Sequence, residues 1–490
     1  MSLQSEKRNL SMVMDFYEMT MANGYFKHAD KDTKVVFDVF YRRNPDNGGF
    51  AIYAGLMQII DYIKELHFDK EDIEYLRNQG ILDEDFLHYL ENFKFTGDVY
   101  SFAEGEIIYP NEPVITVVAP LIEAQLVETA ILLQFNHQSL IATKTNRIVR
   151  ASEGRAVSDF GARRAHNMDA AVYGARAAYI GGASSTATVL AGQMFNIPIS
   201  GTMAHSWVMF YPDEFTAFKV YAETYPDATT LLVDTYDVLR SGVPNAIRVA
   251  KEVLEPMGKR LKGIRLDSGD LAYLSKEARK MLDKEGLTDC KIVVSNSLDE
   301  YTIQSLISQG AKIDFFGVGE RLITAKSEPV FGGVYKLVAV EENNKFEPRI
   351  KISENIEKIT NPGLKRVWRI YNKEGYGIGE LLTLWDEDPR KITGSYEVVD
   401  VKNPWKKVKL DHCTFKPLQI LFIKNGEPTK ECMEYENKSL KDIRNEVSMK
   451  LEKEVWNEEK RFENPHIHYM DMSPAMYKLK TDLLFAHSEK

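Results

Sequence analysis

The chain has 490 residues, 62 Lys and Arg against 72 Asp and Glu, a formal net charge of −10, and 44% hydrophobic and 27% charged residues. That length allows about two to four domains of roughly 100–200 residues, each able to bury a core without staples. The acidic balance excludes a general nucleic-acid binder, which needs a basic footprint, and no apolar run approaches the roughly 20 residues of a membrane helix.

Cys290, Cys413 and Cys432 lie far apart and form no CxxC, which speaks against a disulfide framework or a cysteine zinc site and fits a reducing cytoplasm. The opening MSLQSEKRNLSMVMDFYEMT carries no apolar h-region, so a cytoplasmic protein without a signal peptide is expected. Residues 1–130 mix short strands with helices. VVFDVFYRR (35–43) alternates like a strand, and Asn44, Pro45, Asn47, Gly48 and Gly49 make a turn after it. FAIYAGLMQIIDYIKEL (50–66) reads as an amphipathic helix, and 97–119 as β structure with turns at Asn111 and Pro113.

Residues 131–345 have a rhythm. Apolar or β-branched stretches recur at 155–161, 196–202, 229–235, 262–270, 291–297 and 312–319, each followed by a short polar loop and a helical pattern. Such alternation implies βαβ crossovers and a parallel sheet, either closed into an irregular α/β barrel or left as a doubly wound open sheet. In 346–490 the texture changes again. Strand-like RVWRIYN (366–372) and GSYEVVDV (394–401) precede a charged helix near 438–459, read as a region that rejoins the N-terminal domain.

Ligands of parallel α/β folds bind at the carboxyl ends of strands. Those ends here carry Phe160-Gly161-Ala162-Arg163-Arg164, then Thr202 and His205, Asp234, Arg265-Leu266-Asp267, Ser295 and Gly317-Val318-Gly319. Arginines for oxyanions, aspartates for ribose hydroxyls or Mg²⁺, and glycine turns for phosphate suit a phosphorylated sugar. Each residue also has a bland reading. Arg163 and Arg164 can be surface charges, His205 a hydrogen-bonded core histidine, Asp267 and Asp270 helix caps, and Gly317 and Gly319 turn formers. Gly181 to Thr186 reads best as the opening of a closely packed helix. His466 and His468 lack a third ligand, GVGERL fails the GxGxxG pattern, and no GxxxxGK[ST] loop occurs.

Seven ordered blocks between residue 15 and about 340 resemble the nicotinate phosphoribosyltransferase family: DFYEMTMANGYF, FDVFYRRNP, SDFGARRAH, GTMAHS, GIRLDSGDL, SNSLDE and FGVGERLITAKSEPVFGGVYKLV. The resemblance implies an irregular α/β barrel plus an α/β sandwich domain built from the N- and C-terminal parts of the chain, working as a homodimer. It implies conversion of nicotinate and phosphoribosyl pyrophosphate to nicotinate mononucleotide and pyrophosphate in NAD salvage, with ATP and Mg²⁺ as further requirements. His205 matches the histidine phosphorylated from ATP. Tyr17, Phe160, Arg163, Thr202 and Arg265 match the nicotinate pocket, and Asp267 the group facing ribose and Mg²⁺. Gly317, Gly319, Gly332 and Gly333 match glycines near the 5′-phosphate, although Glu320 and Arg321 stand where many relatives carry small hydroxyl residues. A nicotinamide-using relative would carry an acidic residue where Ser200 and Gly201 stand, and a quinolinate-using one would be smaller. A catalytically dead homologue would lack His205 or Asp267, and both are present.

Overall fold

The computed structural model describes residues 9–355, 358–401 and 403–488; the first eight residues of the opening read for a signal peptide lie outside the described ones. The chain divides into two units, residues 140–329 and residues 1–139 with 330–490.

The unit 140–329 is built on β1 (Ala156–Asp159), β2 (Ser185–Thr186), β3 (Thr230–Leu232), β4 (Gly263–Leu266), β5 (Lys291–Val294) and β6 (Phe315–Val318). All pair in parallel in the order β2-β1-β6-β5-β4-β3. Stretches such as KIVV and FFGV are short, β-branched or aromatic, and largely buried. That is what a parallel sheet covered on both faces demands. No β2–β3 pairing occurs among the described residues, so the sheet curls as a half-barrel, the irregular α/β barrel expected.

Helices open with Asx caps. Asn167 accepts from the Ala170 N–H, Asp270 from Tyr273 and Asp299 from Thr302, filling donors that a helix start leaves orphaned. The capping alternative for Asp270 is therefore realised.

Two local expectations fail. The stretch 196–202 is not a strand; it keeps one isolated bridge, Thr186 to Ile199. Asn196 is left-handed at φ 53° and ends the helix Val189–Phe195, and Pro198 has no N–H to give a ladder. Ser185-Thr186, read as the start of a helix, forms the edge strand instead.

The other unit holds a seven-stranded antiparallel sheet. Its strand Lys34–Phe40 is buried from Val35 onward between Ile115–Pro120 and Val334–Glu342. Asp98–Ser101 pairs with Ile420–Lys424, so both chain ends enter one ladder. A six-stranded sheet is built from residues after 364, with Trp368, Ile370, Leu381, Val398 and Leu410 in its core. The helix expected over 50–66 is interrupted. Ala51–Ile52 pairs with Ile107–Ile108, and the helix runs only Leu56–Glu65. Gly55 makes the break at φ 102°, where a Cβ would stand 2.6 Å from the Gln134 carbonyl oxygen. The charged helix near 438–459 is Leu440–Lys453, capped by Ser439.

A buried ionic cluster joins the two ends of the chain within this unit. The Arg369 guanidinium donates to Glu380 at 2.7 Å, Glu106 at 2.5 Å, Glu454 at 2.6 Å and the Ile107 carbonyl at 2.7 Å. Lys450 adds a 2.7 Å bond to Glu106. Burial alone would raise the Glu106 carboxyl, but Arg369 and Lys450 beside it hold it at about 2, against an ordinary 4.5. A lowered folded value gives stability that is full above pH 4.5 and lost as pH falls toward 2. Replacing Glu106 by Gln is expected to lower the thermal midpoint at pH 7 and to flatten its decline between pH 4.5 and 2. Parallel pH curves for the two proteins would reject this role.

Candidate active site

The polar ends of β1, β3, β4, β5 and β6 gather the residues picked out in the sequence. Asp234, just beyond β3, is the hub. Its side chain is 1% exposed. Oδ2 accepts from the Asp267 N–H at 3.0 Å and the Ser268 hydroxyl at 2.6 Å, so it fixes the turn after β4. Oδ1 is buried without a hydrogen-bond partner and lies 4.0 Å from His205 Nε2. Asp267 Oδ2 lies at the same 4.0 Å from Nε2, and its Oδ1 accepts from Ser295 at the end of β5. The other ring nitrogen, Nδ1, has the Thr235 hydroxyl at 3.1 Å. His205 is 40% exposed and is not the core histidine of the bland reading.

Arg265 rises from β4 and donates from Nη1 to the Thr202 hydroxyl at 2.6 Å. Its Nε is buried and unbonded. Burial lowers the guanidinium from its ordinary value, Asp267 and Asp234 oppose that, and Arg163 reinforces it. A half-buried cation with a free donor and a second arginine in electrostatic reach is set to take an anion. Arg163 itself is exposed, in the short helical turn Ala162–Arg164.

Phe160, half-buried, follows β1 and bonds to the Val318 carbonyl at 2.8 Å. Gly317 lies inside β6, not in a turn, and a Cβ there would stand 2.5 Å from the Phe160 ring. A Cβ on Gly319 would meet the Phe160 carbonyl oxygen at 3.1 Å. These glycines make room for the aromatic ring and the backbone beside it. Arg321 pairs with Asp299, and Glu320 with Lys326 at 2.6 Å, so each has a partner of opposite charge within the fold.

Tyr17, Gly332 and Gly333 belong to the other unit. Tyr17 is 44% exposed on the helix Phe16–His28, its phenol pushed up by burial and by Glu128. Gly332 has φ 76° and open space around it, and Gly333 donates its N–H to Asn136 at 2.8 Å.

Sequence reasoning gave no role to Thr235, Ser268 or Asp159. Asp159 is buried at the end of β1, its carboxyl raised by burial, and accepts from the Gly161 N–H and the Thr186 hydroxyl, each at 2.8 Å. Ser158, Ser185 and Ser200 form a hydroxyl triangle with sides of 2.7, 2.8 and 2.8 Å, which ties β1 and β2 to the segment before Thr202. A carboxylate or serine at a strand end is a weak signal alone. Asp234 stood at such an end, but only the fold reveals its unbonded oxygen beside His205.

Comparison with known proteins identifies the family. Family models of the nicotinate phosphoribosyltransferase (NAPRTase) N-terminal domain, family and C-terminal domain match residues 12–136, 155–372 and 364–480. A nicotinate phosphoribosyltransferase of Bacillus subtilis is 46% identical over 478 residues, 96% of this chain and 94% of its own length. The chain belongs to the nicotinate phosphoribosyltransferase family. A Caenorhabditis elegans protein of the same name is 32% identical over 95% of this chain and 92% of its own. The crystal structure of human nicotinic acid phosphoribosyltransferase covers 96% of this chain and 100% of its own, at 27% identity and a TM-score of 0.83. Nicotinate-nucleotide pyrophosphorylase from Pyrococcus furiosus shares the fold, with a TM-score of 0.67 at 24% identity and coverage of 92% and 98%.

Gly317 gives a test of how this family member seats its aromatic ring. Gly317→Ala should destabilise the protein by about 1–3 kcal/mol through overpacking, read from the urea unfolding midpoint. An unchanged midpoint would mean that Phe160 does not need the space.

Proposed function

We propose that the chain joins nicotinate to phosphoribosyl pyrophosphate, giving nicotinate mononucleotide and pyrophosphate, with turnover driven by ATP through a phosphorylated His205. The observation that carries this reading is the pairing of a half-buried, incompletely bonded Arg265 with two carboxylates that flank the His205 ring.

Nicotinate is planar and anionic. Its carboxylate suits Arg265, with Thr202 holding the guanidinium in place and Arg163 adding charge. Phe160 offers a ring face to the pyridine. The pyridine nitrogen uses its lone pair to form a bond to ribose C1, and the C1–oxygen bond breaks, its electron pair leaving with pyrophosphate. The nitrogen has no proton to lose, so positioning and charge stabilisation carry the step rather than a strong base. Asp267, steadied by Ser295 and by the Asp234 bond to its backbone, orients the ribose hydroxyls.

Mg²⁺ fits this donor set. It takes one or two carboxylates along with substrate phosphates, and Asp267 Oδ2 and the unbonded Asp234 Oδ1 lie at equal distances from one nitrogen. When bound it would neutralise the departing diphosphate charge.

For the ATP reaction, Thr235 occupies Nδ1, which leaves Nε2 as the acceptor. The γ-phosphorus would form a bond to Nε2 as its bond to the ADP oxygen breaks; water later cleaves the phosphorus–nitrogen bond, helping product release. Homodimer assembly is part of the same proposal. Val189, Met209 and Phe210, on successive helices of the barrel unit, are 69%, 66% and 81% exposed, apolar side chains that an interface would cover.

The deciding experiment measures product from phosphoribosyl pyrophosphate with nicotinate or nicotinamide, with and without Mg-ATP. Nicotinate mononucleotide formed faster with ATP is expected; a preference for nicotinamide would overturn the pocket assignment. His205→Ala should keep slow transfer and lose the stimulation by ATP, and full stimulation in that variant would remove the histidine from the mechanism. Arg265→Ala should raise the KM for nicotinate by about ten- to a hundredfold, the loss of one charge-assisted hydrogen bond; an unchanged KM would place the carboxylate elsewhere.

A further inference from the structure

The unit formed by both chain ends contains a cleft of about 360 Å³, within the size range of small-molecule sites, roughly 300–1,000 Å³. Its walls come from the segment before Ile107–Ile108, from the strands Thr414–Pro417 and Ile420–Lys424, and from the end of the helix Leu440–Lys453.

The charges in this cleft are unevenly committed. Each of its three carboxylates already has a cation: Glu446 has Lys438 at 2.5 Å, Glu454 has Arg369 at 2.6 Å, and Glu106 has Arg369 and Lys450. The rim lysines Lys416 and Lys453 are exposed and have no ion pair among the described residues. Lys450 bonds to Glu106 with one of three donors and keeps 14% of its side chain exposed. The three lining carboxylates are thus already paired, whereas two of the three lining lysines are not.

The helix C-terminus accounts for Lys450 and Lys453, since cations favour that end of the macrodipole. It does not account for Lys416. That residue lies directly across the ladder from Arg369 and near enough to Glu106 to lower its carboxyl, yet it makes no ion pair among the described residues. Nor does it account for the apolar wall of Leu418, Ile420 and Met449, the last 53% exposed.

We propose that this cleft binds a phosphate monoester carrying a flat apolar body, with the phosphate among Lys416, Lys450 and Lys453 and the body against Ile420 and Met449. Lysines act as point charges for phosphate, and the unbranched thioether of Met449 adapts to a flat ring. The site shares no residue with the barrel rim, so it stands or falls independently of the proposed reaction.

The test titrates adenosine 5′-monophosphate and inorganic phosphate calorimetrically into the full chain, Lys416→Glu/Lys453→Glu and Arg265→Ala. The nucleotide is expected to bind at least tenfold tighter than inorganic phosphate, to lose at least tenfold affinity in the double variant, and to keep its affinity in Arg265→Ala. Equal affinity in the wild type and the double variant overturns the proposal. So does loss of binding in Arg265→Ala, which assigns the nucleotide to the barrel rim, and so does nucleotide binding no tighter than phosphate. Both lysines are exposed, so the double variant should melt at the wild-type temperature. If it does not, Met449→Asp supplies the same comparison: a tenfold loss supports the site and unchanged affinity overturns it.

Discussion

One guanidinium ties the two parts of the discontinuous unit beside the ladder they share. Arg369 is fully buried and serves carboxylates on three separate segments, Glu106 from the N-terminal part and Glu380 and Glu454 from the C-terminal part. Breaking a buried pair by removing one partner costs about 3–5 kcal/mol, because the remaining charge stays desolvated. The price of burying so much charge is strict geometry, since the fan of five guanidinium donors is satisfied only when all three carboxylates arrive in register. The cluster extends through His468, which stacks on Tyr109 at 3.6 Å and bonds to Glu459 at 2.8 Å; burial works against its proton, but Glu380 and Glu459 prevail and raise its basicity. A unit made from residues 1–139 and 330–490 thus gains a contact that no single stretch of chain can form alone.

The barrel unit solves a different problem. Its parallel strands are short, so each ends abruptly and the next turn must be held by side chains. Asp159 holds the turn after β1, Asp234 the turn after β4, and Asp270 and Asp299 cap the helices that follow β4 and β5. Some carboxylates at the rim are consumed by the fold in this way. What the fold leaves uncommitted is found by subtraction: Asp234 Oδ1, the outer oxygen of Asp267, and the unbonded Nε of Arg265.

The sequence made the frame legible because alternation of apolar stretch and helical pattern survives in one dimension. Five of the six expected barrel stretches form strands, and the lost one, 196–202, fails where Asn196 turns left-handed and Pro198 cannot donate. The strand Ser185–Thr186 escaped notice because two residues between glycines and alanines carry no period. The roles of single residues were less legible. Gly317 could be read as a turn glycine, whereas it lies inside β6 and its missing Cβ leaves room for Phe160, a ring just beyond the neighbouring strand and 157 positions away in sequence. The paired Glu320 and Arg321 looked like a departure at a ligand site, yet their partners Lys326 and Asp299 absorb their charge locally.

That subtraction also fixes the surroundings of the His205 ring. Here Asp234 spends one oxygen on the Asp267 backbone and Ser268, and Asp267 spends one on Ser295, so each presents a single oxygen at 4.0 Å rather than in hydrogen-bond contact. With Thr235 at Nδ1 fixing the ring, the same two oxygens stand at equal distances from Nε2. Orientation of the imidazole and vacancy at the carboxylates follow from one set of hydrogen bonds, which is why the hub is the buried aspartate rather than the exposed histidine.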